Sequence, residues 1–534
     1  MTAPLASNTI IRNPVLKGFN PDPSILRVAD DYYLATSTFE WFPGVQIHHS
    51  RDLVNWRLLT RPLDRLSQLD MVGNPDSGGI WAPCLSHSAG IFYLIYTDVK
   101  YWKRDPYKIA YNYLVTAPSI EGPWSEPVFL NGSGFDPSLF HDDDGRKWFL
   151  NMEWDHRKRN NRFSGILLQE FCPETKTLIG PVKKIFGGTE RAMVEGPHLY
   201  KRNGWYYLLT AEGGTEYAHA ATFARSRTID GPYELHPQKH LLSSHGHQEA
   251  ELQKAGHASL VETQMGEWFL AHLCGRPIDG KHCTLGRETA IQKCVWDADD
   301  WLYLEQGGMI PTVNTKGPAG LSVAPFTEAG WDGNFDPPQL DLHFQSLRQP
   351  VTEDWLSLTE RPGYLRLKGM EPTVSVFRQS LIARRVQSFD ISAETSVEFE
   401  PETFQQMAGL IAYYDTENHY YLRLSHDEKL GRTLNIIATD AAKSNELLAD
   451  DVPVPETGAI GMRLTLKGAA LQFEYAAADS GWTGIGPVLN GAILSDDYNH
   501  LGFTGAFVGL CCQDISGRRR HADFAHFRYR EVLP

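Results

Sequence analysis

The apolar positions of this chain recur in short alternating strands rather than in helical stripes. A four-residue aromatic segment closing on leucine appears five times: Asp31-Tyr-Tyr-Leu34, Ile91-Phe-Tyr-Leu94, Lys147-Trp-Phe-Leu150, Trp205-Tyr-Tyr-Leu208 and Glu267-Trp-Phe-Leu270. Each carries a turn signal at its start, such as Gly90, Asp144-Gly145 or Asn203-Gly204. The closing leucines lie 60, 56, 58 and 62 residues apart. Looser echoes follow, two of them entered through Gly-Pro turns at Gly122-Pro123 and Gly231-Pro232. Such a repeat predicts five blades of a β-propeller. After Trp301 the repeat fades, and residues 316–333 are rich in Gly, Pro and Ala, as linkers are. Beyond them, segments such as Tyr364-Leu-Arg-Leu-Lys368, Tyr420-Tyr-Leu-Arg-Leu424 and Arg463-Leu-Thr-Leu-Lys467 alternate apolar and polar. Alternation predicts strands with one buried and one solvated face, hence a second all-β unit. The expectation is an all-β chain, a five-bladed β-propeller over residues 1–318 and a C-terminal β-sandwich over 319–534.

What precedes each repeated strand also aligns. Asp22 lies 12 residues before Leu34, Trp81 13 before Leu94, Asp136 14 before Leu150, Glu195 13 before Leu208, and His257 13 before Leu270. Equivalent positions in radially repeated blades fall on a ring about the axis, so three carboxylates, a tryptophan and a histidine should converge. Three readings stand open for them. Glycoside hydrolysis needs one protonated carboxylic acid and one ionised carboxylate, and a third carboxylate raises the acid's pKa by like-charge repulsion. Alternatively the ring holds calcium, which takes several oxygen ligands. The plainest reading makes the Asp-Pro-Ser segments turns in which aspartate caps its own backbone. The tryptophan favours sugar, whose C–H face matches an apolar ring.

Composition narrows the partners. Lys and Arg number 50 against 65 Asp and Glu, a net charge of -15, which argues against a nucleic-acid backbone. No apolar run approaches the length of a membrane span. The seven cysteines are scattered without CxxC spacing, so neither a zinc site nor a disulfide framework is indicated. With no basic-then-apolar leader at the start, the expectation is a cytoplasmic chain that acts on something imported. The 14 Trp, 22 Tyr and 25 Phe suit strands and sugar-facing walls alike.

Long stretches resemble a known family. NPVLKGFNPDPSI (13–25), ATSTFEWFPGVQIHHSRDL (35–53), GNPDSGGIWAP (73–83), GFDPSLFHD (134–142), VEGPHLY (194–200), TAEGGT (210–215), GHASLVET (256–263) and LGRETAIQ (285–292) are similar to bacterial β-xylosidases of glycoside hydrolase family 43. The likeness continues through ARRVQSF (383–389), FQQMAGL (404–410) and GFTGAFVG (502–509). The resemblance implies an inverting, exo-acting β-1,4-xylosidase releasing xylose from xylo-oligosaccharides, with α-L-arabinofuranosidase side activity in many relatives. It implies Asp22 as general base, Glu195 as general acid and Asp136 as the group tuning the acid. Phe39, Trp81, Trp154, His257 and Arg287 would line the substrate pocket, and Phe503 would reach over from the second domain. It further implies a homo-oligomer, dimer or tetramer, and no required cofactor. Calcium held largely through water near His257 is the one metal it raises.

Departures and rivals sharpen the tests. Cys84 stands where relatives usually carry aspartate in Trp-Ala-Pro-Asp, and reads as a small buried filler. The histidines 240, 245 and 247, beside Glu249 and Glu251, read as a solvated loop, since no ligand spacing is present. Arg287 has a bland alternative, a surface ion pair with Glu288 or another acid. The rival functions are a predominant α-L-arabinofuranosidase and a non-catalytic carbohydrate-binding propeller.

Overall fold

The computed structural model describes residues 9–103, 106–321, 324–326, 333–477 and 480–532, so part of the expected 316–333 linker lies outside the described residues. Five four-stranded antiparallel sheets follow one another as meanders. The first runs Ser24–Val28, Asp31–Thr36, Gln46–Ser50 and Arg57–Thr60, and the fifth Gln253–Glu262, Trp268–Gly275, Glu288–Trp296 and Leu302–Leu304. Each recurring aromatic segment lies in the second strand of its blade, and its closing leucine is buried. Apolar clusters weld neighbouring blades: Tyr33, Leu85 and Phe92 join the first two, and Tyr207, Phe223 and Leu260 the last two. Much of the aromatic excess is spent there. In the third blade Ser138 pairs with Leu150, so Phe149 faces Leu139, the counterpart of Ile25. The repeat is one residue out of step at that blade.

The ring is tied at its ends. Ile10–Arg12 pairs antiparallel with Asn314–Lys316. The Asn13 side chain accepts from the Ile291 amide at 2.8 Å and donates to the Ile291 carbonyl at 2.7 Å. Among the described residues there is no α-helix, and no helix is long and apolar enough to cross a membrane.

The C-terminal unit is a sandwich of a nine-stranded and a seven-stranded sheet around a core that includes Leu367, Ile391, Leu410, Leu422, Leu464 and Phe524. One expectation needs correcting. The strand His419–Asp427, which contains Tyr420–Leu424, is buried on both faces over its first seven residues, and Phe507–Asp514 along its whole length. The outer face of the nine-stranded sheet is covered by the propeller: Leu381, Ile411, Tyr413, Tyr421 and Phe507 join one cluster with Phe19, Phe39 and Trp41. The sheet even continues into propeller sequence, because Trp41–Phe42 pairs with Gln345–Leu347 at its edge. Trp41 stacks on Phe507 with ring centroids 3.7 Å apart.

A fully buried tryptophan spanning both units couples their stability. Trp41→Ala should cost about 3–5 kcal/mol through lost burial and a residual cavity. Urea titration followed by circular dichroism and by fluorescence should still show one coincident transition at lower denaturant. A loss below about 1 kcal/mol would mean that the two units do not stabilise each other through this contact.

Candidate active site

The innermost strand of each blade breaks its extended backbone where it meets the axis. Asp22 has φ 55°, Ala82 30°, Asp136 55°, Gly196 57° and His257 28°. Three of these breaks coincide with ladder irregularities, between Trp81 and Cys84, Glu195 and His198, and Gly256 and Ala258. A bulge turns the backbone and re-aims its side chains. Non-glycine residues held at positive φ each cost about 1–3 kcal/mol, and such strain gathers at functional sites. Glycine at 196 avoids it, and a Cβ there would sit 2.9 Å from the His257 ring.

These strands surround a cavity of about 270 Å³. All nine residues singled out from the sequence line it: Asp22, Asp136, Glu195, Phe39, Trp81, Trp154, His257, Arg287 and Phe503. Phe503 comes from the sandwich. The sequence reading missed Trp102, Lys108, Phe135, Phe163, Met193, Leu501 and the loop Gly214, Thr215 and Glu216. The glycine pair in TAEGGT and the Phe beside Asp136 were visible signals for two of these. Lys108 carried none: its ammonium lies 4.5 Å from the Trp154 ring centre and 5.4 Å from that of Trp81, a box assembled from two blades.

The three carboxyl groups are buried yet electrostatically unlike. Burial pushes Asp22 up, but the Arg287 guanidinium, His257 and the Ser37 hydroxyl together hold it below the usual carboxylate range. Arg287 Nη1 donates to Asp22 Oδ1 at 2.7 Å and Ser37 Oγ to Oδ2 at 2.7 Å. Glu195 is pushed up to about 8, by burial first and then by the Asp22 charge, with Arg287 and Lys108 opposing. Asp136 is also raised well above its ordinary value, by burial and then by Glu195 and Asp22. The Gly196 N–H donates to Asp136 Oδ2 at 3.1 Å, tying this aspartate to the backbone that carries Glu195. Asp136 and Glu195 titrate as a pair that keeps a proton near neutral pH.

Arg287 does not pair with Glu288, whose carboxylate is held by Arg276 at 2.6 and 2.8 Å. Its Nη2 instead donates to the Phe503 carbonyl at 3.1 Å, reaching the sandwich. Gly286 permits that approach: at φ 69°, a Cβ on it would meet the Thr504 carbonyl oxygen at 2.4 Å. Cys84 is buried and does not line the cavity, and burial pushes its thiol up to about 11. His240 lies on the strand Glu234–Leu242, buried against Thr222 Oγ1 at 2.9 Å, not in the expected loop. His245 and His247 are in the loop, where His247 meets Glu249 at 2.9 Å.

Among the described residues, no group of three or more His, Cys, Asp or Glu could hold a metal ion. The titratable neighbours of His257 are the imidazoles of His198 and His219, the Arg287 guanidinium and the Asp22 carboxylate. This set is mostly nitrogen with a single carboxylate, so it does not fit a directly ligated calcium, which takes about six to eight oxygens.

An acid kept protonated and a carboxylate kept ionised, facing one aromatic-walled cavity, is the equipment of a glycoside hydrolase. Comparison with known proteins agrees. Residues 11–302 match Glycosyl hydrolases family 43, and residues 332–530 match the Beta xylosidase C-terminal Concanavalin A-like domain. The chain belongs to glycoside hydrolase family 43. It is 54% identical to "Xylosidase/arabinosidase 43B" of Humicola insolens over 98% of each chain. It is 51% identical to "Beta-xylosidase" of Bacillus subtilis (strain 168), over 98% of this chain and 99% of that one. Among solved structures, a xylan beta-1,4-xylosidase from Bacillus Halodurans C-125 superposes with a TM-score of 0.96 at 56% identity, covering 98% of this chain and all of that one.

The raised Glu195 carboxyl has a consequence for stability. A folded-state pKa above the unfolded value makes its contribution fully present below about 4.5 and lost as pH rises through about 8. Glu195→Gln, which removes that titration, should raise the melting temperature relative to the unaltered enzyme more at pH 8 than at pH 5. Calorimetry at the two pH values checks it, and an equal shift at both would mean that Glu195 is not held protonated.

Proposed function

We propose that this glycoside hydrolase is an exo-acting, inverting β-1,4-xylosidase that releases D-xylose from the non-reducing end of short xylo-oligosaccharides. Asp22 is the general base: its ionised carboxylate, fixed by Arg287 and Ser37, takes a proton from the attacking water. Glu195 is the general acid, donating its proton to the glycosidic oxygen as the bond breaks. Asp136 is the group tuning that acid: it is bonded to the Gly196 N–H, on the backbone that carries Glu195, and so helps to orient it. Phe39, Trp81, Trp154 and Phe503 offer ring faces to the sugar, and His257 and Arg287 border it on the polar side. The observation that carries the reading is one aromatic-walled cavity faced by Asp22, bonded to Arg287 and Ser37, and by the buried Glu195, whose pKa burial and the Asp22 charge push up.

A β-sandwich over 319–534 closing the pocket of a catalytic propeller over 1–318 suits exo action, because such an enzyme needs a pocket shut at one end. An α-L-arabinofuranosidase side activity is part of the proposal, supported by the double name of the Humicola relative. The chemistry so described requires no cofactor; calcium held largely through water near His257 stays part of the proposal, and rates with EDTA and with added calcium test it. A cytoplasmic site of action rests on seven unpaired cysteines, six of them buried. Assembly as a dimer or tetramer rests on the family resemblance, and light scattering tests it.

The stereochemistry is decided by NMR of a running reaction. Xylose should first appear as the α-anomer, and first appearance as the β-anomer would overturn inversion. Glu195→Ala should cut turnover of xylobiose by about 10²–10⁴, the usual worth of general acid catalysis, and much less for an activated aryl xyloside. Equal losses would remove Glu195 from the acid role. In the unaltered enzyme kcat/KM should fall on the basic side near pH 8, as the acid loses its proton.

A further inference from the structure

Residues 74–77 do not reach the cavity, yet three of its aromatic walls hang from them. The Trp102 indole N–H donates to the Asp76 carbonyl at 3.0 Å, and the Trp81 indole N–H to the Ser77 carbonyl at 2.8 Å. The Phe503 backbone N–H donates to Ser77 Oγ at 3.0 Å. The three rings touch one another, with centroids 4.9 Å apart for Trp102 and Phe503 and 5.4 Å for Trp81 and Phe503. The segment is itself clamped from the sandwich side. Arg348 donates from Nη2 to Asp76 Oδ1 at 2.6 Å and from Nε to the Asn74 carbonyl at 2.8 Å, and the Thr416 hydroxyl donates to Asp76 Oδ2. From the propeller, Glu40 Oε2 accepts the Ser77 N–H at 3.1 Å. Asp76 and Ser77 are both buried, and Ser77 is held at φ 57°.

We propose that Ser77 and Asp76 are positioning residues for sugar binding: they fix the Trp81, Trp102 and Phe503 rings and make their placement depend on the docked sandwich. The chemistry favours this over a bland turn. An indole N–H or a backbone amide left unpaired in a buried wall is costly, so each of the three bonds dictates where its ring stands. The Arg348–Asp76 pair spans two units whose residues lie 272 apart in sequence, so the segment takes its position only when the second unit is in place. The inference rests on the proposed sugar hydrolysis for its substrate, though not on any role of the carboxylates.

Ser77→Gly is the informative change, because a left-handed backbone suits glycine while the hydroxyl acceptor is lost. The melting temperature should stay within about 3 °C of the native value. KM for xylobiose should rise at least fivefold with kcat within threefold. In a Phe503→Ala background, where the ring is already gone, the same change should alter KM less than twofold. Asp76→Asn, which weakens the Arg348 clamp, should raise KM in the same direction. Unchanged KM in both variants, or a full Ser77→Gly effect without the Phe503 ring, would overturn the proposal. Quenching of tryptophan fluorescence by xylobiose reads binding separately. A chain that bound the sugar without cleaving it would refute the reaction, while weaker binding in the two variants would still support the positioning role.

Discussion

The buried guanidinium of Arg287 is the contact on which both the chemistry and the assembly rest. A cation taken out of water needs a carboxylate close by, or its desolvation is not recovered. Arg287 finds one in Asp22, which burial alone would push toward protonation. Its second terminal nitrogen finds the Phe503 carbonyl of the sandwich. Ionisation of the proposed base and docking of the second unit are therefore served by one side chain. The Glu288 carboxylate next to it is kept away by Arg276, which leaves the charge of Arg287 for the ring.

Around that cation, identical chemical groups are driven apart by place. Asp22, Asp136 and Glu195 share burial, and burial raises all three. Only Asp22 bonds directly to Arg287, and its charge in turn raises the other two. The result is one ionised carboxylate and one pair that retains a proton, the division that acid–base hydrolysis of a glycosidic bond requires. The positive-φ breaks at the ends of the inner strands hold these groups at the axis, and the welded blades resist their relaxation.

The two units are less separable than their folds suggest. A propeller strand, Trp41–Phe42, forms the edge of the nine-stranded sheet, and the outer face of that sheet is buried on propeller side chains. Lys254 of the fifth blade meets Asp497 of the sandwich at 2.6 Å, on the same loop that brings Leu501 and Phe503 to the cavity. The pocket is thus finished only by the assembled pair.

What the sequence determined by itself was whatever repeats locally. The aromatic strands fix five blades because strand period and turn residues act over a few positions. The recurring offset of 12 to 14 residues from each strand to Asp22, Trp81, Asp136, Glu195 and His257 fixes the ring because repeated blades share one axis. The one-residue slip in the third blade left that result intact. What only the tertiary structure decided depends on segments far apart in the chain. Alternation along Tyr420–Leu424 gives no warning that its polar face is covered, since the cover comes from the other unit. The aromatic box about Lys108 draws on two blades, and the Phe503 amide finds Ser77 across 426 residues. The separation of three like carboxyls into acid and base is of the same kind: local sequence makes them equivalent, and a buried arginine 265 residues from Asp22, with His257 and Ser37, makes them different.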